Sequence, residues 1–111
     1  MVLRQGDIVI VPFPYSNGYL SKNRPAVIIS SGRVNQTMDV ILAQISSTSR
    51  SDDFSFVIDE NMLTVSLRKD SQVRVHKIFV IEKRLIKKVI SQLKKPAKKE
   101  LLTKVKELFD N

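Results

Sequence analysis

The sequence S-K-N-R-P-A-V-I-I-S, residues 21–30, contains a change from a polar loop to a buried strand. The run A-V-I-I at 26–29 is apolar, largely β-branched and too short for a helix. Pro25 favours an extended Arg24 and cannot donate to a sheet, so we expect it at the strand's first position. Arg24 would then lie at a sheet rim, where a guanidinium can donate two parallel hydrogen bonds to a phosphate. The alternative is a surface arginine beside a strand-opening proline, which these residues favour by themselves.

Other apolar segments predict further strands on both sides of this one. They cover residues 6–13, 38–45, 54–58, 72–81 and 86–93. Pro12 and Pro14 should end the pairing of the first strand or place it at an edge. Residues 14–23 lack periodicity and predict a mobile loop containing Tyr15, Tyr19 and Lys22. The tyrosines could stack on unpaired bases or hold the loop against the protein body.

A hydroxyl-rich turn follows the apolar run that ends at Ile45. Its sequence is S-S-T-S-R-S at 46–51, and it includes Ser46, Ser47 and Arg50. Hydroxyls and backbone N–H groups at a sheet rim can hold a phosphate or donate to a developing charge. They can also cap the turn itself, which is the role that these residues favour by themselves.

The segment Q-V-R-V-H-K-I at 72–78 alternates along a predicted strand. A period of two places Arg74, His76 and Ile78 on one face, with Lys77 on the other. A neighbouring cation lowers the proton affinity of an imidazole, so His76 would be largely neutral near pH 7 and able to accept a proton. Ordinary packing or hydrogen bonding by a single histidine is the alternative.

The carboxy-terminal part predicts a brief helical turn at 82–85 and, after the last strand, a helix whose first turn contains Pro96. An apolar stripe at spacings of three and four should cover a hydrophobic surface; it comprises Ala97, Leu101, Leu102, Val105, Leu108 and Phe109. Residues 82–111 contain 10 Lys/Arg and 4 Asp/Glu, and so contribute +6 of the net charge of +8. This excess favours a polyanionic partner, either a nucleic acid or an acidic protein, or a solvated lysine-rich surface.

Length and composition predict a single domain over residues 1–111 with one core. The chain has no cysteine and one histidine, so we expect a reducing compartment, no disulfide and no catalytic metal or other cofactor. Its apolar runs are too short to span a membrane, and the first residues lack a hydrophobic signal region. A soluble, cytoplasmic protein without a membrane partner is the expectation.

Taken in order, these segments resemble the MazF/PemK family of toxin endoribonucleases, which includes the Kid toxin. The similar segments are G-D-I-V-I-V-P-F at 6–13, N-R-P-A-V-I-I-S at 23–30, A-Q-I-S-S at 43–47, D-S-Q-V-R-V-H-K at 70–77, then I-E-K-R-L-I and the last helix. The resemblance implies a mainly β, α+β fold: a compact SH3-like β-barrel of the CcdB/PemK type, with short helices and a C-terminal helix, usually in a homodimer.

The same resemblance implies metal-independent cleavage of single-stranded RNA, commonly messenger RNA, at a short sequence. The products would carry a 2′,3′-cyclic phosphate and a 5′-hydroxyl, and a cognate antitoxin would neutralise the protein. Such cleavage needs a base for the 2′-hydroxyl, an acid for the departing 5′-oxygen, and positive charge near the phosphate.

The resemblance assigns four catalytic residues. Arg24 would stabilise the phosphate, Ser46 would keep the hydroxyl of a position that is usually threonine, and Arg74 would act as an acid or phosphate contact. His76 stands where the PemK and Kid branch has an aspartate base, so either His76 takes over that role or the enzyme is weakened and still binds RNA. Predicted RNA-binding residues are Tyr15, Tyr19, Lys22, Ser47, Arg50 and Lys77.

A non-catalytic toxin is the alternative from another functional class. CcdB-type inhibitors of DNA gyrase share the fold and act by gripping a protein, so the fold does not determine catalysis. Their activity depends on a helix end rich in aromatic and small residues, whereas residues 108–111 here are L-F-D-N.

Overall fold

The fold is organised around one antiparallel sheet in a computed structural model that describes residues 1–14 and 21–111. The described strands run in the order β4-β5-β3-β2-β1-β6 across the sheet. Their bounds are β1 Asp7–Pro14, β2 Ser21–Ile28, β3 Asp39–Ser46, β4 Ser55–Ile58, β5 Ser71–Glu82 and β6 Lys88–Gln92. Helix α1 spans Gly32–Asn35 and helix α2 spans Lys95–Glu107; single 3₁₀ turns cover Glu60–Met62 and Lys83–Leu85. Tyr15 and Tyr19 lie outside the described residues.

Backbone hydrogen bonds connect the two ends of this sheet. After β4 the chain reaches the end of β6, where Leu63 forms an antiparallel bridge with Leu93. The Thr64 amide donates to the Gln92 carbonyl at 3.0 Å, and the Lys94 amide donates to the Met62 carbonyl at 2.7 Å. The sheet therefore curls into a half-barrel, and the predicted mainly β, SH3-like fold with a C-terminal helix is confirmed.

Helix α2 covers one face of the sheet with its apolar stripe. Ala97, Leu101 and Val105 are buried in the larger of two hydrophobic clusters, together with residues of β1, β2, β3 and β5. Pro96 lies in the first turn, as predicted, because an N–H is not required there. Phe109 is 76% exposed, so its predicted place in the covering stripe is wrong. It follows the end of α2, where the helical spacing no longer applies.

The start of β2 differs from the prediction. This strand begins at Ser21, and β1 pairs with it continuously from Ile8↔Val27 to Pro14↔Ser21. Pro25 is therefore inside the strand, and its predicted position at the strand start is wrong. The residue is tolerated there because β3 pairs with β2 only from Ala26 onward, so β3 does not need a donor from Pro25. Pro12 and Pro14 are tolerated for the same reason, because β6 pairs only with Asp7–Ile10 of β1. This agrees with the prediction that these prolines end the pairing of the first strand or lie at an edge.

A bulge interrupts the alternation of β5. Opposite β3, Arg74 pairs with Gln44 and Ile78 pairs with Ala43, so three residues of β5 are accommodated between consecutive residues of β3. Ile78 consequently packs against the cluster that contains Val73, and its predicted place on the face of Arg74 is wrong. The bulge also leaves residues 76 and 77 exposed beside the end of the sheet.

The remaining predicted elements agree in type with small differences in extent. The turn at 82–85 is a 3₁₀ turn, and the last strand is shorter than predicted at Lys88–Gln92. The polar segment after Ser31 contains the short helix α1. Among the described residues, neither helix is long and apolar enough to cross a membrane.

Candidate functional site

A cross-strand row of the sheet aligns polar residues from three strands. Ala26 of β2 pairs with Gln44 of β3, Gln44 pairs with Arg74 of β5, and Arg74 pairs with Ser55 of β4. Directly paired residues point to the same face of a sheet, as do residues two apart on one strand. Arg24, two residues before Ala26, therefore shares this face with Arg74.

The next row contains Ser46, which pairs with Gln72 of β5. Ser46 is two residues from Gln44 and so belongs to the same face as Arg24 and Arg74. The Cα atoms of Arg24 and Arg74 should be roughly 12 Å apart, from two strand spacings of about 4.8 Å and two residues of about 3.4 Å. Long arginine side chains at that separation can approach one backbone of RNA from two sides.

The guanidinium of Arg74 is held by a bidentate ion pair. Its Nη1 donates to Oδ1 of Asp52 at 3.1 Å, and its Nη2 donates to Oδ2 at 3.2 Å. Nη1 also donates to the Ser55 hydroxyl at 2.6 Å. Because Arg74 is buried, these contacts fix a permanent positive charge under the surface of the site.

Asp52 is itself oriented by its local turn. The Phe54 amide donates to Oδ1 at 3.0 Å and the Ser55 hydroxyl donates to the same atom at 2.9 Å. The hydrogen bond from Arg74, followed by that from Ser55, lowers the pKa of Asp52 to about 2. This carboxylate is therefore ionised at neutral pH, where it is a weak base and a fixed negative partner for Arg74.

His76 lies on the exposed bulge of β5 and stacks on Phe54. The ring centroids are 4.5 Å apart, with a tilt of 38°. Partial desolvation lowers the pKa of His76 below 6.5, and the positive charges of Arg74 and Lys77 lower it further, whereas Asp52 raises it. The imidazole is thus mainly neutral at pH 7, as predicted from the neighbouring arginine, and its exposed position makes it accessible to a substrate.

The hydroxyl-rich turn is tied to β5 by Gln72. Its side-chain amide accepts from the Arg50 amide and donates to the Arg50 carbonyl, both at 3.2 Å. The Ser46 hydroxyl accepts from the Thr48 amide at 3.1 Å, which is the capping role that the sequence favoured. The Arg50 side chain is exposed, and its predicted contact with RNA stays a prediction.

A cleft of about 320 Å³ lies where β2 begins and β3 ends, and its lining includes Lys22, Arg24 and Ser47. The structure therefore groups the predicted residues in two sets. Arg74 and His76 gather around Asp52 and Phe54, while Lys22, Arg24 and Ser47 border the cleft. Ser46 lies in the sheet between these sets, and Lys77 lies next to His76 at the exposed bulge.

Sequence reasoning missed several residues that shape this site. Asp52, Phe54 and Ser55 belong to the turn and strand opposite Arg74, and Gln72 anchors the hydroxyl-rich turn. The acidic pair D-D at 52–53, directly before the strand predicted at 54–58, gave one usable signal, because an acidic turn next to a strand can supply a partner for a buried arginine. In residues 1–14 and 21–111, no group of three His, Asp or Glu side chains could hold a metal.

Comparison with protein families identifies the chain. The sequence profile of the PemK-like, MazF-like toxins of type II toxin-antitoxin systems matches residues 4–109. The chain belongs to this PemK/MazF toxin family. No curated protein sequence gives a significant match.

Solved structures with the same fold include several toxins. MazF from Deinococcus radiodurans superposes with a TM-score of 0.78 at 17% identity, covering 100% of this chain and 99% of that one. In the MazE-MazF structure from the same organism, the matching chain gives 0.79 at 16% identity, with coverages of 97% and 96%. A mycobacterial endoribonuclease solved with its cognate antitoxin gives 0.75 at 16% identity, with coverages of 95% and 92%. At these identities the likeness establishes the fold.

Proposed function

We propose that this PemK/MazF family protein is an endoribonuclease toxin that cuts single-stranded RNA at a short sequence without a metal ion. A cognate antitoxin would neutralise it in the cytoplasm, and the toxin would act as a homodimer. The observation that carries the proposal is the buried Arg74, fixed by Asp52 and Ser55 on the sheet face shared with Arg24, with a neutral, exposed His76 beside it.

In the proposed reaction, the neutral imidazole of His76 takes the proton of a ribose 2′-hydroxyl. The 2′-oxygen then attacks the adjacent phosphorus, and the bond from phosphorus to the 5′-oxygen breaks. The departing 5′-oxygen takes up a proton from solvent, which leaves a 2′,3′-cyclic phosphate and a 5′-hydroxyl. His76 returns its proton to solvent, so the enzyme is regenerated.

The two arginines would stabilise the crowded phosphate during this step. A guanidinium remains protonated at any physiological pH, so we assign Arg74 to charge stabilisation rather than to proton transfer. Arg24 would reach the same phosphate from β2, and the hydroxyls of Ser46 and Ser47 would donate to its oxygens. The buried position of Arg74 supports this assignment, because charges act more strongly away from bulk water.

An acidic antitoxin peptide would compete with RNA for the same positive charges. The names of two structural neighbours, a MazE-MazF complex and an endoribonuclease with its cognate antitoxin, support such a partner. A flexible acidic segment can cover a large basic surface and fold as it binds. Binding over Arg24 would then block RNA by occupation of the site.

Incubation of the purified protein with a long single-stranded RNA, followed by mapping of the cut ends, tests the proposal. We expect cleavage that persists in EDTA and yields cyclic phosphate ends. Arg24→Ala should reduce cleavage by about 10² to 10³ and weaken binding, because it removes one preorganised charge donor. Arg33→Ala is the matched control, since it removes the same charge from an exposed position on α1.

Loss of cleavage in EDTA would contradict the metal-free reaction. Equal activity of the Arg24→Ala and Arg33→Ala variants would remove Arg24 from the mechanism. Absence of RNA cleavage by the wild-type protein would favour the alternative of a toxin that inhibits a protein such as DNA gyrase.

A further inference from the structure

The cleft beside Arg24 has a cationic rim that is assembled from two segments distant in sequence. Segment 67–69 forms part of its lining, and Arg68 and Lys69 of this segment are exposed, as is Lys22 of β2. The apolar part of the lining comes from Ile45 and Leu67, together with Pro25 and Ile90. Cations at the opening and aliphatic side chains beneath them can hold an anionic group and a flat apolar ring at once.

The charges of this cleft differ from those of the cleft next to it. Four of its lining residues are Lys or Arg, and none of the lining residues that the structure describes is acidic. A neighbouring cleft of about 280 Å³ shares Leu67, Lys69 and Ser71 but is lined by Asp59, Glu60 and Asp70. Segment 67–71 therefore separates a basic cleft from an acidic one, and an anionic ligand would select the basic side.

Hydrogen bonds fix this segment at both ends. The Ser71 hydroxyl donates to the Lys69 carbonyl at 2.9 Å, and the Val65 amide donates to the Ser91 hydroxyl at 3.1 Å. Leu67 is half-buried against the main hydrophobic cluster. The wall that presents Arg68 and Lys69 is thus preorganised, which lowers the entropy cost of binding.

From these observations we infer that the cleft binds one nucleotide of the RNA next to the cut phosphodiester, with its base on the aliphatic floor and its phosphate between Lys22, Arg68 and Lys69. This inference rests on the proposed function. The cleft shares Arg24 and Ser47 with the proposed cleavage site, so its occupant would directly neighbour the reacting phosphate. A volume of about 320 Å³ is near the small end of ligand sites, which suits a single nucleotide.

A nucleotide whose base is unstacked from its neighbours can make both kinds of contact that the cleft offers, one through its base and one through its phosphate. Unstacked bases of single-stranded RNA are commonly held between aromatic or apolar side chains, while cations bind the backbone. Arg68 and Lys69 would therefore act on substrate affinity and sequence choice, and the chemistry would stay with the residues on the sheet face.

The test compares two double variants on an RNA whose cut position has been mapped. Arg68→Ala/Lys69→Ala removes the wall cations, and Arg4→Ala/Arg33→Ala removes two exposed arginines, one ahead of β1 and one on α1. We expect Arg68→Ala/Lys69→Ala to raise KM about tenfold and to change kcat by less than about twofold, because the lost contacts bind the substrate and the transition state equally. In this variant, the plot of log affinity against log salt should become less steep, by about 0.7 for each lost phosphate contact. The control variant should match the wild type.

Abasic substitution locates the nucleotide. Wild-type protein should lose affinity when one particular base beside the cut is removed, and this loss should shrink in Leu67→Ala, which removes part of the aliphatic floor under that base. Fluorescence anisotropy with an RNA that carries a 2′-deoxyribose at the cut position measures affinity without cleavage.

Several results would overturn the inference. These are a fall in kcat at unchanged KM, an equal effect of the control variant, or an unchanged abasic penalty. Normal RNA affinity combined with weakened binding of an acidic antitoxin peptide would assign the cleft to the protein partner instead. If wild-type protein cuts no RNA, the proposed function fails, and anisotropy with single-stranded oligonucleotides tests the cleft separately.

Discussion

Replacement of His76 by asparagine would test the proposed base through its pH dependence. Asparagine retains hydrogen-bonding groups but does not titrate near neutral pH. If the imidazole takes the 2′-hydroxyl proton, the variant should lose at least tenfold in cleavage rate at pH 7, up to the factor of about 10² to 10⁴ typical of general bases. RNA affinity should remain nearly unchanged, since His76 need not contact the phosphate.

The structure also sets an upper limit on how far the cleavage rate of the wild-type protein falls at acidic pH. An imidazole with a pKa of about 6.5 is about three quarters neutral at pH 7.0 and about one tenth neutral at pH 5.5, a ratio of about eight. Desolvation near Phe54 and the charges of Arg74 and Lys77 lower the pKa of His76 below 6.5. The neutral fraction, and with it the rate, should therefore fall by less than about eightfold over this range.

Single-turnover cleavage of a fluorogenic RNA at saturating enzyme gives the required rate profile. Measurements from about pH 5 to about pH 8 cover both sides of an ordinary imidazole pKa. The wild-type rate should rise with pH and level off near neutrality, and the His76→Asn profile should lack that rise. Superimposable profiles, or an unchanged rate in the variant, would refute the assignment and leave His76 as a structural residue.

Four further substitutions test the surroundings of the site and the fold. Lys77→Gln removes a charge that lowers the pKa of His76, so the acid limb of the rate profile should move to higher pH. Asp52→Asn removes a charge that raises this pKa, so the limb should move to lower pH, and the rate should fall as the bidentate contact to the arginine is lost. Leu101→Ala should lower the free energy of unfolding in urea by about 2 to 5 kcal/mol, because the Leu101 side chain is fully buried between α2 and the sheet. Gly6→Ala should cost about 1 to 2 kcal/mol in the same assay, because residue 6 has φ of 96° and a Cβ there would lie 3.1 Å from a lysine side chain.

The positions of most strands follow from local features of the sequence. Short β-branched runs bounded by Gly, Pro, Ser and Asn favour strands because the branched side chains fit a pleated, half-buried surface. The apolar spacing after Pro96 likewise predicts α2, since residues three and four apart share one helical face. These signals depend on neighbours within a few residues, so the chain itself carries them.

The departures arise where a distant partner determines the structure. Pro25 lies inside β2 because β1 continues to pair beyond the end of β3, a difference in strand length that residues 21–30 do not contain. Ile78 changes face because β5 fits three extra residues opposite β3. The alternation of a strand predicts faces only while the ladder is regular.

The candidate site divides in the same way. Arg24, Arg74 and His76 could be identified as chemically suitable groups before the fold was known, because residue type and the order of the motifs that resemble a toxin family are both written in the sequence. Only the tertiary structure paired Arg74 with Asp52, 22 residues away, and joined segment 67–69 to β2 around one cleft. Such pairings depend on strand register and on how the sheet curls, which are set by the packing of the whole core and not by any one segment.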